Sequence, residues 1–229
     1  MTRQAPLIAA IALTLLSTPA AAAGNAGTPP RFAGPPGATV APVPPPAPSR
    51  PFAGLASAAE AADMLFMREE EKLARDLYIL LDEKWGVAPF ARIAISEQVH
   101  MDAVLRLLIR YRLDDPAAGK TIGQFASAEL QALFDDLLKR GSASAVAALE
   151  VGGIVEEVDL DDLAAALARS DNADIDQVYE ILSCGSRNHL RDFARALERL
   201  TGHAYVAKAL PQSVVDAILA EPVGSCSRR

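Results

Sequence analysis

Glu97 and His100 stand three residues apart in "SEQVHMDAVLRLL", residues 96–108, where apolar residues otherwise recur at helical spacing. A helical Glu-x-x-His sets both side chains on one face, so a carboxylate and an imidazole can reach a common point. Here that face is the apolar one, reading Ile93, Glu97, His100, Val104, Leu107, Tyr111. A buried carboxylate is costly unless it is paired or holds a cation. Glu71, Glu156 and His189 interrupt other apolar stripes in the same way. Carboxylate oxygens and neutral imidazole suit iron, manganese or zinc, and a carboxylate can bridge two ions.

The elements that must position these residues are helices. From about Ser57 the apolar spacing is helical throughout, and no run of alternating β-branched residues predicts a strand. A first helix is predicted over 58–84, with the stripe Met64, Met67, Glu71, Ala74, Tyr78, Leu81, Trp85. Gly86 stops it and Pro89 restarts the chain, so the second helix spans 88–112. A connection of about 30 residues follows, carrying one short helix that Ser127 can cap. A further helix runs from Ser142 to about Arg169, and another from about Asp174 to Gly202 with the stripe Val178, Leu182, Ser186, His189, Phe193, Leu197, Leu200. A last short helix is predicted over 211–220. Four long helices with one long middle crossover predict an all-α, ferritin-like four-helix bundle.

Di-metal carboxylate bundles of this kind draw a Glu from each of two helices and a Glu-x-x-His from each of the other two. Glu71, Glu97 with His100, and His189 match that pattern. On the third long helix Glu156 and Glu157 compete; Glu156 shares the leucine face and Glu157 sits about 100° around it. Ser186 departs from the pattern, since "SRNH", residues 186–189, has no carboxylate where one is wanted. Asp159 or a water could fill that gap. Tyr78, on the face of Glu71, is either a hydrogen-bond partner and redox relay or plain core. Met64, Met67 and Trp85 read as packing, Glu69 and Glu70 as solvated, and His203 as a helix-end residue. The structural alternative is a metal-free bundle with a buried polar network.

The ends carry other signals. Residues 1–23, with Arg3, an apolar run and small residues, predict a cleaved secretory signal, which implies export. Residues 24–55 are rich in Pro, Gly and Ala and predict a disordered tether. The folded bundle is then expected over 56–203 and a tail with a short helix over 204–229. No later run is long enough to span a membrane. A net charge of −7 without a lysine-rich block argues against nucleic acid as a partner. Arg187, Arg191, Arg195 and Arg199 read as a solvated row. Cys184 and Cys226 form either a disulfide, favoured by export, or two free thiols. Whether copies assemble into a homo-oligomer is open.

With these residues in place, a resemblance appears. "EKLARDLY", residues 71–78, and "EQVH", 97–100, are similar to ligand-bearing helices of rubrerythrin. More closely, "MREEEKLARDLY", "SEQVHMDAVLRLL", "EEVDLDDL" and "GSRNHLRDF" resemble an uncharacterised ferritin-like family, domain of unknown function 2202, over residues 60–202. The resemblance implies a carboxylate–histidine centre, with iron the first choice of metal, and oxidation of ferrous iron or reduction of oxygen or peroxide. It also implies that the "SRNH" departure is a family pattern and the centre a modified one. The cysteine-ligated second iron of rubrerythrins has no counterpart in two distant cysteines. The competing expectation is a non-catalytic metal-binding or envelope interaction module on its tether.

Overall fold

The computed structural model describes residues 55–226. The expected signal, and all of the expected tether but Leu55, lie outside the described residues. Within them are six helices and no strand: α1 (Ala58–Trp85), α2 (Phe90–Tyr111), α3 (Ala128–Gly141), α4 (Ala145–Leu167), α5 (Ala173–Thr201) and α6 (Gln212–Ala220). No described helix is long and apolar enough to cross a membrane.

Local chemistry sets the helix ends. Ser57 and Glu60 form a reciprocal capping box at the start of α1, and Gly86 ends it in the left-handed conformation, φ 57°. The Ser127 hydroxyl accepts from Leu130 N–H to start α3, and that of Ser144 accepts from Ala147 N–H to start α4. Gly202, φ 75°, closes α5. The long helices pack as two hairpins, α1 with α2 and α4 with α5, and contacts of α1 with α4 and of α2 with α5 close the ring.

The crossover between α2 and α4 folds back over α1, and α3 packs on both α1 and α4. This corrects the expectation that Glu69 and Glu70 are solvated: both are buried. Glu69 accepts from Ala126 and Ser127 N–H at 2.5 and 2.9 Å. Lys72, paired with Asp76, donates to Thr121 O, while Asp76 accepts from Gly123 N–H at 2.9 Å. A charged helix face is buried here because the returning loop supplies its hydrogen bonds.

Two apolar cores result. One holds Met64, Met67, Val104, Leu107, Leu163, Tyr179 and Leu182. The other is larger and includes Ala74, Tyr78, Phe90, Ile93, Leu149, Ile154 and Phe193. Along α1, α2 and α5 the chain passes from one core to the other through Glu71, through Glu97 and His100, and through Ser186 and His189. These polar residues therefore form a layer between the cores, and each is buried.

The arginine row is not uniformly solvated. Arg191 is buried, donating to Ile218 O at 2.8 Å and to Asn188 Oδ1 at 2.6 Å, because α6 returns over it. Leu200, counted on the apolar stripe, is exposed. Cys184 and Cys226 are joined in a disulfide that ties the tail to α5.

Candidate metal centre

α2 contributes the shared element of the polar layer. Glu97 extends one oxygen toward each of two imidazoles: Oε2 lies 2.8 Å from His100 Nδ1 and Oε1 lies 2.8 Å from His189 Nδ1. Glu71 of α1 adds Oε2 at 3.2 Å from His100 Nδ1, and Glu156 of α4 adds Oε2 at 3.5 Å from His189 Nδ1. The imidazole rings stack with centroids 5.4 Å apart. Two groups that could hold a metal ion follow, Glu71–Glu97–His100 and Glu97–Glu156–His189, with Glu97 in both.

Other expected residues surround them. The Tyr78 hydroxyl donates to Glu156 Oε1 at 2.6 Å. Ser186 Oγ lies 2.5 Å from Asp159 Oδ2 and 3.0 Å from Leu182 O. Glu157 is the exception among the expected ligands. It is buried on another side of α4, where it accepts from Tyr205 O–H and from the backbone N–H groups of Lys208, Ala209 and Leu210. The angular offset from Glu156 aims it at the tail, which is the physical reason it takes no part in the layer. His203 is exposed.

Residues 60–222 match a protein family described as "Uncharacterized protein domain (DUF2202)". The chain belongs to this family. A relative named "Uncharacterized protein MJ0754", from Methanocaldococcus jannaschii, is 41% identical over 173 residues, which is 76% of this chain and 91% of the relative. The crystal structure of "hypothetical protein MJ0754" from Methanococcus jannaschii DSM 2661 superposes with a TM-score of 0.72 at 40% identity, covering 77% of this chain and 98% of that one. The family description carries no activity, so the chemistry of this DUF2202 member rests on its residues.

Sequence reasoning missed two contributors. Ser96 Oγ sits 2.9 Å from His189 Nε2; with that nitrogen donating, the Nδ1 lone pair faces the carboxylates. Gly185 backs His100: a Cβ there would lie 2.4 Å from His100 Nε2. A glycine within a helix costs about 1 kcal/mol relative to alanine, so its presence on the α5 stripe was the available signal of close packing. Nothing in the sequence points to Ser96.

The electrostatics of the layer ask for positive charge. Burial opposes the charged form of His189, but Glu97 and then Glu156 outweigh it and push the imidazole up to about 10. Burial likewise opposes charge on His100, and Glu71 with Glu97 raises it well above the usual range. Burial would raise Glu97, yet His189 and His100 hold it far below the usual carboxylate range. Glu71 is raised by burial against the pull of His100, and Glu156 by burial and the charge of Glu97. Burial lifts Asp159 to about 7, against the bond from Ser186. Burial and Glu156 keep the Tyr78 phenol protonated, so it acts as a donor.

The residues fit a pair of cations. Glu71 Oε1 is buried and makes no hydrogen bond, and buried Glu97 Oε1 and His189 Nδ1 face only each other, 2.8 Å apart. Around an ion held at about 2.1 Å, adjacent donors of an octahedron stand about 3 Å apart. The imidazole–carboxylate separations here run from 2.8 to 3.5 Å, and all donors of each group lie within 4.8 Å of one another. Without metal, protons on the two imidazoles supply the charge that ions would bring.

Proposed function

We propose that this chain is an exported, ferritin-like di-metal carboxylate protein that holds two ions, iron foremost, between Glu71, Glu97, His100, Glu156 and His189. Its activity is the oxidation of ferrous iron or the reduction of oxygen or peroxide. The carrying observation is Glu97, whose two oxygens each face an imidazole, so that one carboxylate belongs to both donor groups. Manganese and zinc suit the same donors. Bound there, a pair of redox-active ions would supply electrons to oxygen or peroxide.

The chain's own residues do the remaining work. Tyr78 holds Glu156 by its phenol proton, and Ser96 orients His189. The apolar cores on either side of the layer keep bulk water from the carboxylates, which strengthens their hold on a cation. Export is supported by the leader-like residues 1–23 and by the Cys184–Cys226 disulfide.

Ser186 favours a second reading, a non-catalytic metal-binding module. It stands where a carboxylate completes other di-metal centres, and it engages Asp159 instead. Elemental analysis of protein prepared without a histidine tag tests the metal. Two ions per chain, after reconstitution with ferrous iron, is the expected result. Absence of iron, manganese and zinc would falsify both readings. Metal present, with oxygen and peroxide consumed no faster than in buffer, leaves the binding module alone.

A further inference from the structure

α5 carries its disulfide and its part of the polar layer in one short run, Cys184, Gly185, Ser186, His189. Gly185 touches the other half of the layer: its absent Cβ would fall 2.4 Å from His100 Nε2, which puts the Gly185 Cα within about 4 Å of that nitrogen. Cys184 is covalently next to Gly185. The Cys184 backbone is thus joined to a centre imidazole by one peptide link and one van der Waals contact.

Opening the disulfide would release an exposed tail. The tail it pins, Glu221 to Ser225, is exposed. The preceding chain is held independently, by Glu157 on Lys208, Ala209 and Leu210, by buried Val215 and Ile218, and by Arg191 on Ile218 O. It can also close again. The Asn188 side chain clasps Gly224 at both backbone groups, donating to its carbonyl at 3.0 Å and accepting from its N–H at 3.1 Å. Arg191 fixes that amide through Asn188 Oδ1. Asn188 Nδ2 lies 3.1 Å from Cys226 Sγ, a donor that favours the thiolate. Both sulfurs belong to half-buried residues within reach of a reductant, whereas the polar layer is buried.

We propose that Cys184 and Cys226 are the two-electron reservoir of the centre, a dithiol that closes to the disulfide as peroxide is reduced and is reopened by an external dithiol of the thioredoxin type. The inference rests on the metal-centre reading above. The balance is complete. Two thiols lose two electrons and two protons and form the S–S bond; hydrogen peroxide takes both pairs, its O–O bond breaks, and two waters leave. The external dithiol then attacks the disulfide through a mixed disulfide and is itself oxidised.

The test uses the full chain loaded with ferrous iron, its disulfide opened with dithiothreitol and the reductant removed under argon. One equivalent of hydrogen peroxide is added, and samples are alkylated and weighed as intact protein while peroxide is assayed in parallel. Both thiols should disappear in step with peroxide, about tenfold or more faster than in metal-free reduced protein. The Cys226→Ser variant should bind the same metal yet lose sustained peroxide turnover on added dithiol. Peroxide consumed at loaded protein with both thiols still free overturns the reservoir and leaves the metal centre standing. Equal thiol oxidation with and without metal, or loss of helix on reduction, also overturns it. Protein that takes up no metal overturns the centre and the reservoir together.

Discussion

The two halves of the polar layer share Glu97 but are held in different ways. In the Glu156–His189 half the outer atoms have their own hydrogen-bond partners, Tyr78 on Glu156 and Ser96 on His189. In the Glu71–His100 half the support is steric, with the Gly185 backbone against the His100 ring. Glu71 Oε1 has no hydrogen bond, and neighbouring Asp159 spends one oxygen on Ser186 and leaves the other without one. Partners of this kind fix ligand orientation and typically change metal affinity 10–100-fold. If the layer holds two ions as proposed, the contrast predicts that they are unequal, a firm one at Glu156–His189 and an exchangeable one at Glu71–His100.

Removing the shared carboxylate has the largest effect. Glu97→Leu is expected to lower affinity for both ions by about 100-fold or more, since it deletes a donor from each group. Elemental analysis together with circular dichroism checks this. A variant that stays helical and keeps one tight ion would show that the halves do not depend on Glu97 equally. Tyr78→Phe and Ser96→Ala come next. Each should weaken the firm ion by about 10–100-fold and leave the other almost unchanged, as read by metal titration. Equal weakening of both ions would erase the distinction between the halves.

Gly185→Ala probes the other half. The new methyl meets the His100 ring, and overpacking of this kind costs about 1–3 kcal/mol. Thermal unfolding should register that cost, and only the exchangeable ion should be lost. If both ions persist at full affinity, the Gly185 contact is not what positions His100.

How much of this is legible in the sequence depends on which side of a helix is asked about. Apolar spacing reports the face toward the bundle axis, so Glu71, Glu97, His100, Glu156 and His189 can be seen to share a layer, and Tyr78 to neighbour it. It also separates Glu156 from Glu157 by angle, but it does not say that Glu157 meets the backbone of residues 208–210. The outer face is decided by whatever returns to cover it. Glu69 and Arg191 look solvated because the crossover and α6, which bury them, are distant in the chain, and Glu70 because it is buried beside Asp162 and Asp159 of α4. Ser96 is invisible for a related reason, and Gly185 signals close packing without naming its neighbour: each acts on a residue of a different helix, across a contact that no periodicity encodes.

The remaining effect is on pH dependence, and it compares the layer with and without ions. His189 is pushed up to about 10 in the fold, and His100 is raised as well, against about 6.5 in an unfolded chain. Below pH 6.5 both states hold these protons, and the full stabilisation is present. Between about 6.5 and 10 the folded state binds more protons than the unfolded one, so the metal-free protein loses stability as pH rises. Cations bound as proposed would replace those protons and release them to solution. The unfolding temperature of metal-free protein should therefore fall by about 10 °C or more across that window, since a domain of this size shifts about 2–4 °C per kcal/mol. Fully loaded protein should show a flatter profile, and Tyr78→Phe protein carrying one ion an intermediate slope. Parallel profiles for all three would mean that ions and protons do not compete for the same oxygens and nitrogens, and the unequal pair of sites would lose its electrostatic basis.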